Sequence, residues 1–156
     1  MKKITLFIAS LFFLTGSFAQ EVSSEEIAMV QEIFGAEKRV IIEENIDLTG
    51  VDSAAFWKLY DEYEKSRQEI GKEKLELLQK YTNKKGAITN QQASDLLAQA
   101  IPLRTAEDKL ILNYTKRIGK ATSDLVSVQF YQIEHYISDG IRFSILNEID
   151  FIQDKY

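Results

Sequence analysis

Apolar residues recur at helical spacing along most of the chain, and the alternation that is typical of strands is nearly absent. The pattern predicts four helices joined by short connections, which favour antiparallel neighbours. We therefore expect an all-α fold, a four-helix bundle with an elongated, hairpin-like shape. The segment Val40–Ile42 is β-branched and also compatible with a strand, but its neighbours are helix formers and we expect it to be helical.

Three of the predicted helix starts carry a capping-box pattern, in which two side chains cover free amides at the start of the helix. Each pair has a capping residue and a return partner three residues later. The pairs are Ser23 with Glu26, Thr49 with Asp52, and Thr89 with Gln92. They predict where the first three helices begin, and a fourth helix is expected to begin at Thr122 or Ser123.

The third and fourth helices each carry an unusual feature. Pro102 lies inside the third helix, where its ring and its missing N–H predict a kink, or a split near Ala100. The fourth helix has apolar residues around most of its circumference, which is typical of a helix buried on several sides. We expect it to be the central helix, or to bury one face against a second subunit.

The N-terminus has the pattern of an export signal. Two lysines precede an apolar stretch, Ile4–Leu14, and a small-x-small cleavage signal that ends at Ala19. The stretch is shorter than the roughly 20 residues that a transmembrane helix needs. We predict a signal peptide over residues 1–19, cleaved after Ala19, and a single helical domain over residues 20–156. The protein is then expected to be periplasmic, with no membrane insertion after cleavage.

The composition narrows the range of functions. A net charge of −5 argues against a nucleic-acid partner, which would need a basic surface. The chain has no cysteine, and its one histidine, His135, is interpreted as a residue at the edge of the core. Soft-metal sites need thiolates or several imidazoles, and neither a catalytic triad nor a glycine-rich phosphate loop is present. We expect no metal, no cofactor, no catalytic residues and no enzymatic activity.

Two groups of side chains are candidates for a specific role. Glu134 lies in an apolar segment and is expected to be partly buried, where a carboxylate needs a cationic partner. Arg104 is the predicted partner, with Lys109 and Arg142 as alternatives. The centre of the second helix is poor in apolar residues, so it is either solvated or faces a partner. The possible interaction surface consists of Trp57, Arg67, Lys72 and Lys74.

Two helix starts, together with the segments Leu48–Glu64 and Phe130–Glu134, resemble the Spy/CpxP-like periplasmic family, as found among small exported proteins of Bacteroidetes-type bacteria. That family carries a Leu-Thr-x-x-Gln signature at helix starts. Ile88-Thr89-Asn90-Gln91-Gln92 fits it with isoleucine for leucine, whereas Leu48-Thr49-Gly50-Val51-Asp52 departs from it in the final aspartate. The resemblance implies an all-α hairpin body that is often dimeric and has a concave face.

The same resemblance implies a role as an envelope-stress chaperone or as an adaptor-inhibitor of stress signalling. Together with the export signal, it leads us to expect a non-enzymatic periplasmic binding protein with chaperone-like or envelope-stress duties. Its partners would be protein clients, and it would act as a homodimer. The alternative is an accessory or inhibitor subunit of a membrane stress-sensing or sigma-factor pathway, which would bind a membrane sensor protein.

Overall fold

A computed structural model describes residues 24–82 and 88–148 of the chain. It contains four helices, which are α1 (Ser24–Asn45), α2 (Ser53–Thr82), α3 (Asn90–Ala121) and α4 (Asp124–Glu148). No strand occurs within these ranges, and Val40–Ile42 is helical. The predicted all-α fold with four helices is confirmed. The predicted signal peptide lies outside the described residues.

Sequential helices run antiparallel to one another. Near the start of α2, Glu62 accepts a hydrogen bond from Arg117 of α3, whereas further along α2 Lys74 pairs with Glu107. α1 lies against α2 and α4, α3 lies against the same two helices, and the described parts of α1 and α3 do not approach each other. The four helices therefore occupy the corners of an up-down-up-down bundle, with α1 and α3 diagonally opposed.

The hydrophobic core lies at the end of the bundle where α1 turns into α2 and α3 turns into α4. Phe56, Tyr60 and Tyr63 form an aromatic stripe of α2 at its centre, and the ring of Tyr63 makes edge contacts with Phe130 at 5.1 Å and Tyr114 at 5.5 Å between centroids. The buried residues of this core are Ile42, Ile46, Phe56, Tyr60, Tyr63, Ile111, Tyr114, Ile118, Val126 and Phe130.

The connection between α1 and α2 contains a tight turn. Val51 N–H donates to the carbonyl of Leu48 at 3.4 Å, and Gly50 has φ of 76°, which is the left-handed region that favours glycine. Thr49 lies inside this turn, where its N–H donates to Asp47 Oδ1 at 2.9 Å. The turn therefore places Thr49 before the helix and not at its cap.

The N-cap of α2 is Asp52, because its Oδ1 accepts a hydrogen bond from the N–H of Ala55 at 2.9 Å. The prediction of Thr49 as cap, with Asp52 as its return partner, was wrong by three residues. The residues that the sequence pattern assigned to the first helical turn form the turn around Gly50 instead.

The other caps agree with the sequence pattern where the structure describes them. Thr89 and Gln92 form a complete capping box, in which Gln92 N–H donates to Thr89 Oγ1 at 3.2 Å and Thr89 N–H donates to Gln92 Oε1 at 2.9 Å. Ser123 Oγ caps α4 by accepting from Val126 N–H at 3.2 Å. The capping interaction predicted between Ser23 and Glu26 lies outside the described side chains.

α3 is a single continuous helix through Pro102, so the split predicted near Ala100 is absent. Proline removes the hydrogen bond to the carbonyl four residues earlier, that of Ala98. Ala98 is exposed, so water can satisfy this carbonyl and the helix continues. The kink predicted at Pro102 stays a prediction.

α4 is a corner helix with one buried face and one open face. Val126, Phe130, Glu134 and Ile137 are buried against the other helices. The opposite face is open to solvent, so α4 does not have the central position that we considered. None of the helices in the described ranges is long and apolar enough to span a membrane.

Candidate functional site

The inner face of α1 carries a lysine in the middle of an apolar stripe. Phe34, Lys38 and Ile42 follow one another at intervals of four residues and therefore share one helix face. All three are buried, and the Lys38 side chain is 0% exposed. A buried ammonium group is costly unless charges and hydrogen bonds compensate it, so its partners define the first candidate site.

Two carboxylates from different helices approach Lys38. Its Nζ lies 3.0 Å from Glu64 Oε2 on α2 and 2.8 Å from Glu134 Oε2 on α4. The same ammonium lies 4.7 Å from the centroid of the Tyr63 ring, within cation–π range. Lys38 therefore joins α1 to both of its neighbouring helices at a single point.

Each carboxylate has one further strong partner. Arg67 Nε is 2.9 Å from both oxygens of Glu64, and its Nη2 is 2.6 Å from Oε1. Tyr63 Oη donates to Glu134 Oε2 at 2.6 Å. We call these five residues, Lys38, Tyr63, Glu64, Arg67 and Glu134, the Lys38 cluster. It contains two cations and two carboxylates, so its formal charges balance.

The environment shifts the pKa values of Glu64 and Tyr63 in opposite directions. Burial opposes ionisation of Glu64, but Lys38 and Arg67 outweigh it and hold the pKa of this carboxyl below its usual value. Burial, reinforced by the charge of Glu134, raises the pKa of the Tyr63 hydroxyl well above its usual value. Glu64 is therefore ionised and Tyr63 is a neutral hydrogen-bond donor at neutral pH.

The cluster has unused hydrogen-bonding capacity. Glu134 Oε1 and the hydroxyl of the neighbouring Tyr60 are buried and have no hydrogen-bond partner among the described residues. Neither atom is in contact with solvent, so a dissolved molecule does not reach them in this conformation.

The Lys38 cluster as a whole fixes the register of α1 against α2 and α4 through charge-assisted hydrogen bonds.

Glu134 is buried as predicted, but the predicted ion pair with Arg104 is wrong. Arg104 pairs with Asp108 at 3.5 Å on the surface of α3, and the alternative partner Arg142 pairs with Asp139 at 2.7 Å. Glu134 lies at the level of Tyr63 in the aromatic core, whereas Arg104 lies ten residues before the core residue Tyr114, about 15 Å away along α3.

The lysine on α1 is the partner that sequence reasoning missed. The sequence did contain a signal, because Lys38 interrupts a four-residue repeat of Phe34 and Ile42. A lysine at such a position must either extend to the surface or meet a buried carboxylate.

The four residues of the predicted interaction surface do not form one surface. Arg67 faces α1, with its guanidinium 4.7 Å from the Phe34 ring centroid. Trp57 is half-buried beneath Arg39, at 4.2 Å from guanidinium carbon to ring centroid. Lys74 pairs with Glu107 of α3, and only Lys72 is a largely exposed cation, at 3.9 Å from Glu76 on its own helix.

His135 lies at the edge of the core, as the sequence indicated. Its ring is 4.3 Å from that of Tyr131, and its buried Nε2 has no hydrogen-bond partner among the described residues. Within the part of the chain that the structure describes, no group of three or more His, Cys, Asp or Glu residues is placed to hold a metal ion.

The second candidate feature is the amount of apolar surface that the bundle exposes. Large apolar side chains are open to solvent on three of the four helices. They are Met29, Ile33 and Val40 on α1, Leu97, Ile101 and Leu112 on α3, and Leu125, Val128, Tyr131, Tyr136, Phe143 and Leu146 on α4. Exposed apolar side chains that cluster along helix faces are typical of protein-binding surfaces.

A groove lies between α2 and α3. It is lined by Glu73, Glu76, Leu77, Lys80, Ala98, Gln99, Pro102 and Leu103. Leu97 and Ile101 each precede a groove residue of α3 by one position, which on a helix is a rotation of about 100°, so they lie on the adjoining face of α3 and not in the groove. The groove itself combines the apolar residues Leu77, Pro102 and Leu103 with two carboxylates and one lysine from α2.

Comparison with known protein families, with curated proteins and with solved structures finds no match to this chain.

Proposed function

We propose that this protein is a non-enzymatic periplasmic binding protein with a chaperone-like role, which holds apolar segments of partly folded protein clients. The observation that carries the proposal is the set of large apolar side chains exposed along the faces of α1, α3 and α4. An isolated exposed leucine is unremarkable, but rows of exposed apolar residues mark interaction sites. The resemblance to the Spy/CpxP-like family supports the same function.

The client surface in this proposal is the groove between α2 and α3 together with the adjoining exposed face of α3. Leu97 and Ile101 supply exposed apolar contacts on that face, and in the groove the carboxylates of Glu73 and Glu76 outnumber the one cation, Lys80. Such a surface favours apolar client segments flanked by lysine or arginine, because opposite charges at the rim increase the rate of encounter.

The alternative, an accessory or inhibitor subunit that binds a membrane stress sensor, has less support. It depended on free cations at the centre of α2. Arg67 and Lys74 are instead engaged by Glu64 and Glu107 within the bundle. Charge reversal at Lys72 is the remaining test, and an unchanged pull-down of the sensor would count against this alternative.

The proposed function is tested by the aggregation of a chemically denatured client protein diluted in the presence of the purified chain. We expect aggregation, followed by light scattering, to fall as the chain approaches a stoichiometric ratio. The double variant Leu97→Ser with Ile101→Ser should lose most of this effect, because it removes the large exposed apolar side chains from the face of α3 that adjoins the groove.

The matched control is Leu112→Ser, which removes a similarly exposed leucine further along α3, away from the groove. It should suppress aggregation as the parent chain does. No suppression by the parent chain at stoichiometric excess would overturn the chaperone function. Equal suppression of aggregation by all variants would mean that clients bind elsewhere on the protein.

A further inference from the structure

The open face of α4 has a regular row of residues. Their positions follow each other at alternating intervals of three and four, with two adjacent residues at the middle, which keeps them on one side of a helix. We call this row the outer face of α4. It consists of Leu125, Val128, Gln132, His135, Tyr136, Asp139, Phe143 and Leu146. Seven of the eight are exposed and His135 is half-buried, so the row has no cover from the described helices.

The apolar and polar positions of the outer face are arranged almost symmetrically about its midpoint. Counted from the midpoint between His135 and Tyr136, Leu125 is as far on one side as Leu146 is on the other. Val128 likewise corresponds to Phe143. An interface with two-fold symmetry must be self-complementary in this way, because each residue meets its counterpart on the same surface of the partner.

Two polar positions on either side of the midpoint also correspond to each other. Gln132 and Asp139 are equally far from the midpoint, so antiparallel pairing of two such helices places the Gln132 amide opposite an Asp139 carboxylate. The amide donates and the carboxylate accepts, which gives one hydrogen bond on each side of the axis. Parallel pairing would instead bring the two Asp139 carboxylates together, and like charges at an interface are unfavourable.

The length of the row suits a specific contact. From Leu125 to Leu146 a helix rises by about 30 Å. Pairing of two helices over that length buries on the order of 1,000 Å² in total, which is about the minimum for a specific protein interface. Phe143 and Val128, which are 68% and 60% exposed, would lose most of their exposure.

From this pattern we infer that the outer face of α4 binds the outer face of α4 from a second copy of this chain. The two helices run antiparallel, with the two-fold axis at the level of His135 and Tyr136. Leu125 of each copy then meets Leu146 of the other, and Val128 meets Phe143. The inference goes beyond client binding and does not depend on it, because the groove between α2 and α3 lies on other helices.

The interface is separate from the core of each copy. The buried residues of α4, such as Phe130 and Glu134, lie on the opposite side of the helix. A polar substitution on the outer face should therefore dissociate the dimer without unfolding the bundle, which makes the inference testable by mutation.

The first test is the mass in solution, measured by size-exclusion chromatography with multi-angle light scattering. The parent chain should have twice the monomer mass, and Phe143→Glu should reduce it twofold, because two glutamates then lie within the apolar contact. Leu112→Glu is the control, since it adds the same charge at an exposed leucine of α3 and should leave the mass unchanged. Circular dichroism of both variants checks that the helices are retained.

The second test determines the direction of pairing. The chain has no cysteine, so Leu125→Cys and Leu146→Cys each introduce one thiol near opposite ends of the row. In an antiparallel dimer, neither variant forms a disulfide with itself, but a mixture of the two forms a mixed disulfide under mild oxidation. Non-reducing electrophoresis of the separate and mixed variants measures this.

Two results would overturn the inference. Self-linked Leu125→Cys together with self-linked Leu146→Cys would mean that the helices run parallel. A parent chain of monomer mass at high micromolar concentration would mean that a second copy does not cover this face. If, in addition, Phe143→Glu abolished aggregation suppression by such a monomer, the occupant would be a client protein.

Discussion

The Lys38 cluster includes Glu134 on the inner side of α4, and the outer face lies on the opposite side of the same helix. The two regions have opposite chemistry. On the inner side, Lys38 is 0% exposed and lies between Glu64 and Glu134. On the outer side, Phe143 is 68% exposed. Buried charges on one side of this helix and an exposed aromatic residue on the other are both exceptions to the usual arrangement, which has charges outside and aromatic residues inside.

The difference between the two regions is a difference in partners. The buried charges have compensating charges within one copy of the chain, so the fold accounts for them. The exposed apolar row has no cover in the described residues, so the fold alone does not account for it. Residues of the first region should therefore determine the stability of the bundle, and residues of the second should determine its assembly.

The sharpest test of this contrast is Lys38→Met. The variant leaves two carboxylates buried without their shared cation, and removal of one member of a buried ion pair costs about 3–5 kcal/mol of unfolding free energy. Urea unfolding followed by circular dichroism measures the loss. Lys65→Met, which alters an exposed lysine of α2, should change the unfolding free energy by less than about 1 kcal/mol.

The same experiment can be extended to the partner carboxylate. In a Glu134→Gln background, Lys38→Met should cost less than it does in the parent chain, because one buried charge is already gone. Equal losses for Lys38→Met and Lys65→Met would show that the cluster does not stabilise the bundle.

A smaller effect is expected from the two tyrosines of the core. Tyr63→Phe removes the hydroxyl that donates to Glu134 at 2.6 Å, and a hydrogen bond to a buried charge contributes about 1.5–3 kcal/mol. Tyr60→Phe removes a buried hydroxyl that has no partner among the described residues, so it should be neutral or slightly stabilising. Thermal and urea unfolding of the two variants compares them, and a larger loss for Tyr60→Phe would contradict the assignment.

Acid should weaken the cluster through Glu64. Its pKa in the folded state lies below the ordinary value of 4.5, so the stabilisation that it gives is complete above the pKa of the unfolded chain. It is then lost as the pH falls through the lower, folded value. We expect the unfolding free energy to decrease below about pH 4.5. Glu64→Gln should flatten this part of the profile, and an unchanged profile would exclude Glu64 as its source.

The smallest effect on stability is expected on the outer face of α4. At a concentration where the chain is monomeric, Phe143→Ser should change the unfolding free energy by no more than about 0.5 kcal/mol, since the side chain is exposed. Phe130→Ala, in the core of the same helix, should cost about 3–5 kcal/mol. A large loss for Phe143→Ser would mean that the outer face is part of the fold.

The sequence predicted the helices better than their connections. Helical periodicity located all four, and the capping pattern at Thr89 and Gln92 located the start of α3. It failed at Thr49, because a turn stabilised by Gly50 and a helix start have similar residue preferences. Local pattern does not distinguish the two without knowledge of where the chain must change direction.

The candidate sites were harder to predict, because each depends on contacts between distant parts of the chain. Burial of Glu134 could be predicted from its apolar neighbours, but its partner could not, since Lys38 and Arg104 both lie within plausible reach in a four-helix bundle. The surface assigned to Arg67 and Lys74 failed for the same reason. Both side chains turn inward to carboxylates that the sequence alone does not place.

The link between Lys38 and Glu134 also constrains the order in which the chain can fold. It joins the first described helix to the last, so a growing or emerging chain has α1 long before it has the carboxylate that completes the neutralisation of Lys38. The hairpins of α1 with α2, of α2 with α3 and of α3 with α4 involve contacts closer in sequence and can form earlier. Closure of the bundle by contact of α4 with α1 should then be a late event, and until α4 is in place Lys38 has only Glu64 as a carboxylate partner.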